Sequence, residues 1–353
     1  MDELLRASIY DLDQRHKEKL LLPRLNHLTD LHIARCNLYK NLTEFQGVKL
    51  NAISYEDFLP LSVRLFKQLR LSSVLPEDEF KIMTSSGTTG QSVSKIVLDR
   101  NAAKIQSKVL VNIMREWLGP KRLPMLIIDH IGLTRNRSGY SARGAGVQGL
   151  SFLGYDHCYA LNEDMQINWS EVDTFFEKYK SGPVLIFGFT FMIWKFFLKQ
   201  LKKTNRTFPF DSGFLIHSGG WKKLQDEAVS PEEFSSVTTS VLGRLKLHNF
   251  YGMVEQTGTI FVECEKGHLH APIYADVMFR KPECLTPCVM GEKGLIQVFS
   301  SLPTSYPGHV LLTEDLGRLL GEDDCDCGRR GRYFEVLGRM PRVEVRGCSD
   351  TFQ

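Results

Sequence analysis

No apolar run in the 353-residue sequence approaches the roughly 20 residues that a membrane-spanning helix needs, so no span is expected. The opening MDELLRASIYDLDQRHKEK is too rich in charge for a secretory leader, and the expected location is the cytoplasm. An excess of one charge is missing too. The 44 basic and 41 acidic residues leave a net charge of +3 spread along the chain, which gives no electrostatic footprint for nucleic acid. No internal repeat or low-complexity linker marks a firm domain boundary. Glycine is absent before Gly47 and proline occurs once in that stretch, at Pro23. Apolar and charged residues alternate there at helical spacing, which predicts a helical N-terminal layer.

What is present fits a globular chain with a sizeable core: 42% of residues are hydrophobic and 24% charged. Strands are predicted at EFKIMTSS, SKIVLD, MLIIDH, PVLIFGF, GFLIHSGG, KLHNFYG and GLIQVFSS. Helices are predicted between several of them, at DTFFEKYK and TFMIWKFFLKQLKKT, and most clearly at DRNAAKIQSKVLVNIMREWLGP. There Asp99 is the expected N-cap, Ile105, Val109, Ile113 and Trp117 recur every four residues, and Gly119-Pro120 ends the run. Such alternation predicts an α/β fold with helices packed on a sheet. One unit spanning 1–353 is expected, with residues 1–80 as a mostly helical layer and 81–353 as the core.

Between two of these strands lies SSGTTGQ. Gly87 and Gly90 allow close backbone approach, and Ser85, Ser86, Thr88 and Thr89 place hydroxyls beside backbone N–H groups, a nest suited to phosphate oxygens. It is not a Walker A loop, because no Gly-Lys-Ser/Thr closes it and a strand rather than a helix follows. A plain solvated hairpin is the alternative.

The loop resembles the phosphate loop of the adenylate-forming superfamily, and further matches follow in that superfamily's order. HSGGWKK, with Gly219 and Gly220, is similar to the turn beside the adenine. NFYGMVEQTG, with Tyr251, Gly252 and Glu255, is similar to the Tyr-Gly-x-Thr-Glu segment. LTEDLGR, with Asp315, resembles the ribose clamp, and VLGRMPRVEVRG, with Arg339, the hinge element. The resemblance implies ATP as cosubstrate, with the loop hydroxyls and Lys95 at its phosphates. It further implies Glu255 on Mg²⁺ and Asp315 on the ribose hydroxyls. Three positions depart from the pattern: Lys95 lies two residues late, Val254 replaces the usual Thr, and the chain stops just after the hinge element. The expected fold is therefore the superfamily's large domain with a helical N-terminal segment and without the small C-terminal domain. Lys95 or Lys222 is the candidate to replace the lysine that domain normally supplies.

FLPLSVRLFK, GGWKK, CDCGRRG and FEVLGRMPRVEVRGCSDTF together resemble the acyl-protein synthetase family of bacterial bioluminescence. The resemblance implies that a fatty acid is activated as acyl-adenylate, carried on the protein's own cysteine and passed to a partner reductase. Cys348 is the matching cysteine, and Arg342 and Arg346 would favour its thiolate. Two rival readings stay open: an acyl- or aryl-CoA ligase, in which coenzyme A takes the acyl group, and a non-catalytic nucleotide-sensing or scaffold subunit.

A second site is suggested by Cys264, His270, Cys325 and Cys327, soft donors suited to structural Zn²⁺. The set also resembles that of zinc-binding relatives of phenylacetate-CoA ligase. His268 is an alternative to His270, Cys284 and Cys288 are alternative thiols, and buried reduced cysteines are the plain reading. For an acyl pocket the candidates are Gly144, Gly146 and Gly149, together with Phe187, Phe189 and Phe191, although an aromatic stripe is more often core.

Overall fold

A computed structural model describes residues 4–5, 7–47, 50–85, 93–135, 142–220 and 228–340. The N-terminal layer opens with α1 (Gln14–Arg35), whose N-cap Asp13 accepts a hydrogen bond from the His16 N–H. It continues with α2 (Asn37–Gln46), closed by Gly47 at φ +63°. Pro23 is accommodated inside α1. The helical character expected through residue 80 ends at Gln46, apart from short turns and a one-turn helix, Leu65–Gln68. Proline and serine punctuate that stretch and leave β1 (Leu61–Ser62) free to join the main sheet.

β2 (Lys81–Thr84) and β3 (Lys95–Leu98) form a separate antiparallel hairpin. α3 (Arg100–Leu118) follows with its predicted cap, Asp99 Oδ1 accepting from the Ala102 N–H at 2.6 Å. Its buried face carries Val109, Ile113, Met114 and Trp117. Next come β4 (Leu123–His130), α4 (Ala142–Ser151), β5 (Gly154–Leu161), α5 (Trp169–Tyr179) and β6 (Pro183–Phe189). The helical run 190–203 follows, with a π-helical stretch at Ile193–Leu198. β7 (Ser212–Ser218), α6 (Pro231–Leu242) and β8 (Lys246–Tyr251) complete an α/β half. The rest is strand: β9 (Phe261–Glu263), β10 (Leu269–His270), β11 (Ala275–Arg280), β12 (Gly294–Ser300), β13 (Val310–Glu322) and β14 (Arg332–Arg339).

Strands β8, β7, β6, β4 and β5 lie side by side and parallel, with helices covering them. Burial on both faces explains their continuous apolar runs: Met125, Leu126, Ile127 and Ile128 are at most 1% exposed. From β8 onward the pairing turns antiparallel through β9, β10, β14, β13, β12 and β11, and β1 adds parallel to β13. The pairing changes direction at β8, and in α/β sheets ligands bind beyond the carboxyl ends of the parallel strands at such a switch.

α1 is fastened to the antiparallel half by a buried polar network. Asp276 on β11 accepts from Gln14 Nε2 at 2.7 Å and faces Lys17 Nζ at 3.5 Å, and Lys17 also donates to the Ala271 carbonyl at 3.1 Å. Arg332 joins Glu18 and Glu322 at 3.1 and 2.8 Å. Among the described residues no helix is long and apolar enough to cross a membrane.

Candidate nucleotide and acyl site

The β2–β3 hairpin presents the phosphate-loop sequence. Thr84 pairs with Lys95, the Ser85 N–H donates to the Ser94 carbonyl at 3.2 Å, and the Ser94 N–H donates to Ser85 Oγ at 2.9 Å. Lys95 is exposed at the first position of β3. Ser86, Gly87, Thr88, Thr89 and Gly90 lie outside the described residues, as do Lys222, Arg342, Arg346 and Cys348. Gly219 and Gly220 follow the carboxyl end of β7. Gly219 has φ +79°, and a Cβ there would sit 3.2 Å from the Phe189 ring, so both backbone and space favour glycine.

Tyr251, Asp315 and Arg339 converge. The Tyr251 hydroxyl donates to Asp315 Oδ2 at 2.8 Å, while Arg339 Nε stands 3.6 Å from Asp315 Oδ1. The pairing of β13 with β14 sets Asp315 opposite Arg339. Burial, reinforced by the Asp315 carboxylate, holds the Tyr251 phenol well above its ordinary pKa, so it remains a donor. Gly252 follows, where a Cβ would press on Ile260 at 2.9 Å.

Glu255 is 7% exposed in the turn Val254–Gln256. Burial raises its carboxyl pKa, against the opposing pull of the Ser94 hydroxyl and of the Lys67 and Arg339 cations. A carboxylate short of full neutralisation beside a phosphate hairpin has the chemistry of a divalent-cation ligand.

Beneath the hairpin a cavity of about 220 Å³ opens between β2–β3, α3 and α4. Met83, Leu98, Ala103, Leu110 and Phe152 give it apolar walls, and Thr84, Thr257 and Gly258 bring it to the phosphate and Glu255 turns. Gly149 lines it, and a Cβ there would meet nothing within 4 Å. Gly146 instead packs against Phe189, at 3.2 Å from a built Cβ. Phe187 is 1% exposed in the core, and neither it, Phe189 nor Phe191 lines this cavity. Sequence reasoning named none of the α3 residues that line the cavity. The signal for them is the seven-residue spacing of Ala103 and Leu110, which share one face. α4 is anchored by a bidentate pair, Arg143 to the buried Asp129 at the end of β4, at 2.7 and 3.0 Å.

Cys264, His270, Cys325 and Cys327 come together away from the hairpin, their ligand atoms all within 4.8 Å of one another. Cys327 Sγ is 3.3 Å from His270 Nε2, and Cys264 Sγ is 4.0 Å from Cys325 Sγ. A tetrahedral zinc site requires S···S near about 3.8 Å and S···N near about 3.5 Å, from its bond lengths. Two tight turns supply the thiols. The Lys266 N–H approaches Cys264 Sγ at 3.4 Å, and Gly267 and Gly328 close the turns at φ +78° and +83°. Burial pushes the Cys325 thiol up to about 12 and raises that of Cys264; burial acts the same way on Cys327, but hydrogen bonds from Arg329 outweigh it and lower that thiol. The donor set, buried and soft, fits zinc. His268 is a neighbour of the group, its Nδ1 3.3 Å from Cys325 Sγ, whereas Cys284 and Cys288 pair with Thr286 and the Lys293 carbonyl elsewhere.

A long-chain-fatty-acid–luciferin-component ligase of Aliivibrio fischeri is 25% identical over 327 residues, covering 90% of this chain and 84% of that protein. Its counterpart in Vibrio harveyi is 24% identical over 326 residues, covering 88% and 81%. A 2-hydroxyisobutyryl-CoA ligase, solved in complex with 2-HIB-AMP and CoA, shares the fold with a TM-score of 0.71 at 14% identity, over 94% of this chain and 76% of that one. The family described as acyl-protein synthetase, LuxE, matches residues 1–353, and the chain belongs to that family of ligases.

Proposed function

We propose that the protein activates a fatty acid with ATP as an acyl-adenylate, transfers the acyl group to Cys348, and passes it to a reductase-like protein partner in the cytoplasm. The observation that carries this reading is the convergence of Tyr251, Asp315 and Arg339 beside Glu255, where β8, the last of the parallel strands, ends. Asp315, oriented by Tyr251, would accept hydrogen bonds from the ribose hydroxyls. Ser85, Lys95 and the serine, threonine and glycine residues 86–90 would take the phosphates, with Gly219, Gly220 and Gly252 admitting the nucleotide closely. Glu255 would hold Mg²⁺, which supplies positive charge to the phosphates when bound.

In the first step a carboxylate oxygen of the acid bonds to the α-phosphorus while the bond from that phosphorus to the bridging β oxygen breaks, and pyrophosphate leaves. In the second, the Cys348 thiolate bonds to the carbonyl carbon and AMP departs with the electron pair. The cavity at Gly149 would receive the part of the acyl chain next to the carboxylate. Zn²⁺ on Cys264, His270, Cys325 and Cys327 would tie two turns together, at a distance from the chemistry.

Acid-dependent pyrophosphate exchange followed by intact-mass measurement tests the reading. A hydroxylamine-labile mass increase that disappears in Cys348→Ser is expected. Label retained in that variant would remove Cys348 from the mechanism, and acyl transfer only to coenzyme A would identify a CoA ligase.

A further inference from the structure

Next to the hairpin stands a cation that sequence motifs leave unassigned. β1 pairs with β13 through Leu61↔Leu311 and Ser62↔Leu312, and the Val63 N–H extends the pairing to the Leu312 carbonyl at 3.1 Å. This register carries Arg64 to Glu314, with which it forms an ion pair one residue before Asp315. The helical turn Leu65–Gln68 then packs against β3, the strand that leaves the phosphate loop. Phe66 is 1% exposed and meets the Tyr306 ring edge-on at 6.0 Å. Gly308 brings Tyr306 close to the Glu255 turn: a Cβ there would strike both the Tyr306 ring and the Glu255 carbonyl, the latter at 2.7 Å.

Lys67 follows Phe66 and is partly buried. Its charge acts on both Glu255 and Glu314, the two carboxylates that flank the proposed nucleotide position. Glu314 already has Arg64, whereas among the described residues the Lys67 ammonium makes no hydrogen bond and no ion pair within 4 Å, its backbone N–H alone donating, to the Arg64 carbonyl at 3.0 Å. A half-buried ammonium near anions but bonded to none is available to a phosphate, for which lysine serves as a compact point charge.

We propose that Lys67 is a catalytic cation of the adenylation half-reaction, binding the phosphate oxygens that gain negative charge as pyrophosphate departs. This rests on the acyl-adenylate reading above. The bond changes are those of the first step already given; Lys67 keeps its proton throughout and contributes only charge.

The test uses the full-length protein and separates the half-reactions. Lys67→Met is expected to lower the rate of acid-dependent pyrophosphate exchange by about 100-fold or more, as removal of one transition-state donor does elsewhere. Lys67→Arg should recover part of the rate, because charge rather than shape is what is needed. Loading of Cys348 from presynthesised fatty acyl-adenylate, which bypasses adenylation, should stay within about twofold of wild type in Lys67→Met. Exchange by Lys67→Met within about threefold of wild type overturns the assignment. An equal loss in both half-reactions also overturns it, since Lys67 would then be structural. No exchange by the wild-type protein with any straight-chain acid overturns the acyl-adenylate reading, and the role of Lys67 with it.

Discussion

Tyr251 and Asp315, 64 residues apart in sequence, are joined by a 2.8 Å hydrogen bond from phenol to carboxylate. The bond fixes one carboxylate oxygen and turns the other toward Arg339. Tyr251→Phe should therefore leave the fold intact and loosen Asp315. A hydrogen bond to a charged group contributes roughly 1.5–3 kcal/mol, and if about half of that serves nucleotide binding, KM for ATP rises about three- to tenfold. Asp315→Asn should raise it further. Initial-rate exchange kinetics at varied ATP check both, and an unchanged KM in both variants would remove this pair from the nucleotide site.

Gly149 provides a second handle. It lies in a helix, lines the cavity and has open space where a side chain would begin. Gly149→Ala should stabilise the protein by about 0.5–1 kcal/mol through helix propensity, readable as a raised Tm. Gly149→Phe should fill much of the 220 Å³ and shift acid preference to shorter chains. Exchange rates across straight-chain acids of graded length measure it, and an unaltered profile would place the acyl chain elsewhere.

How legible these features were depended on what each rests on. α3 was readable because Asp99, a four-residue period and Gly119 are all local signals. The parallel strands were readable because burial on both faces makes them apolar throughout. β13 was not read as a strand: LTEDLGR mixes three charges into a run whose burial follows no strict alternation, and its partner β14 begins some ten residues beyond its end. β1, β9 and β10 are two, three and two residues long, too short for any period to declare itself. Site residues matching known motifs could be named in advance. Lys67 closes FLPLSVRLFK, one of the matching stretches, but no role followed from it, because its relation to Glu255 arises from the β1–β13 register and a single helical turn.

The cysteine cluster makes a prediction about metal content. The purified protein should hold about one zinc per chain, the stoichiometry of a single four-ligand site. Cys325→Ser should abolish retention, and a strong chelator should lower Tm, since metal that binds only the folded chain adds directly to its stability. Exchange activity of chelated protein that stays folded should persist, because no ligand of this site lies among the nucleotide residues. Metal-free wild-type protein, checked by mass spectrometry under native conditions, would leave the four side chains as a reduced buried cluster.

The Lys17–Asp276 pair predicts a pH dependence of stability. Burial pushes the Asp276 carboxyl up, but the Lys17 ammonium and the Arg332 guanidinium outweigh it and hold the carboxyl below its ordinary value. Its contribution is therefore whole above the unfolded carboxylate pKa of about 3.9 and fades as pH falls below that. Burial acts on Lys17 in the opposite sense to its partner and lowers its pKa, so the cost of keeping it charged is relieved as pH rises toward the unfolded lysine value of about 10.4. Asp276→Asn removes the compensation and leaves a buried ammonium, a change that costs about 3–5 kcal/mol. The deficit should be fully expressed near pH 7. It should narrow as pH falls below about 4, where Asp276 takes up its proton in the unfolded chain before it does in the folded one, and again at alkaline pH, where Lys17 of the variant sheds its proton. Denaturant unfolding of both proteins at pH 3.5, 7 and 9.5 measures this profile; a deficit independent of pH would mean that packing, and not charge, holds α1 to the sheet.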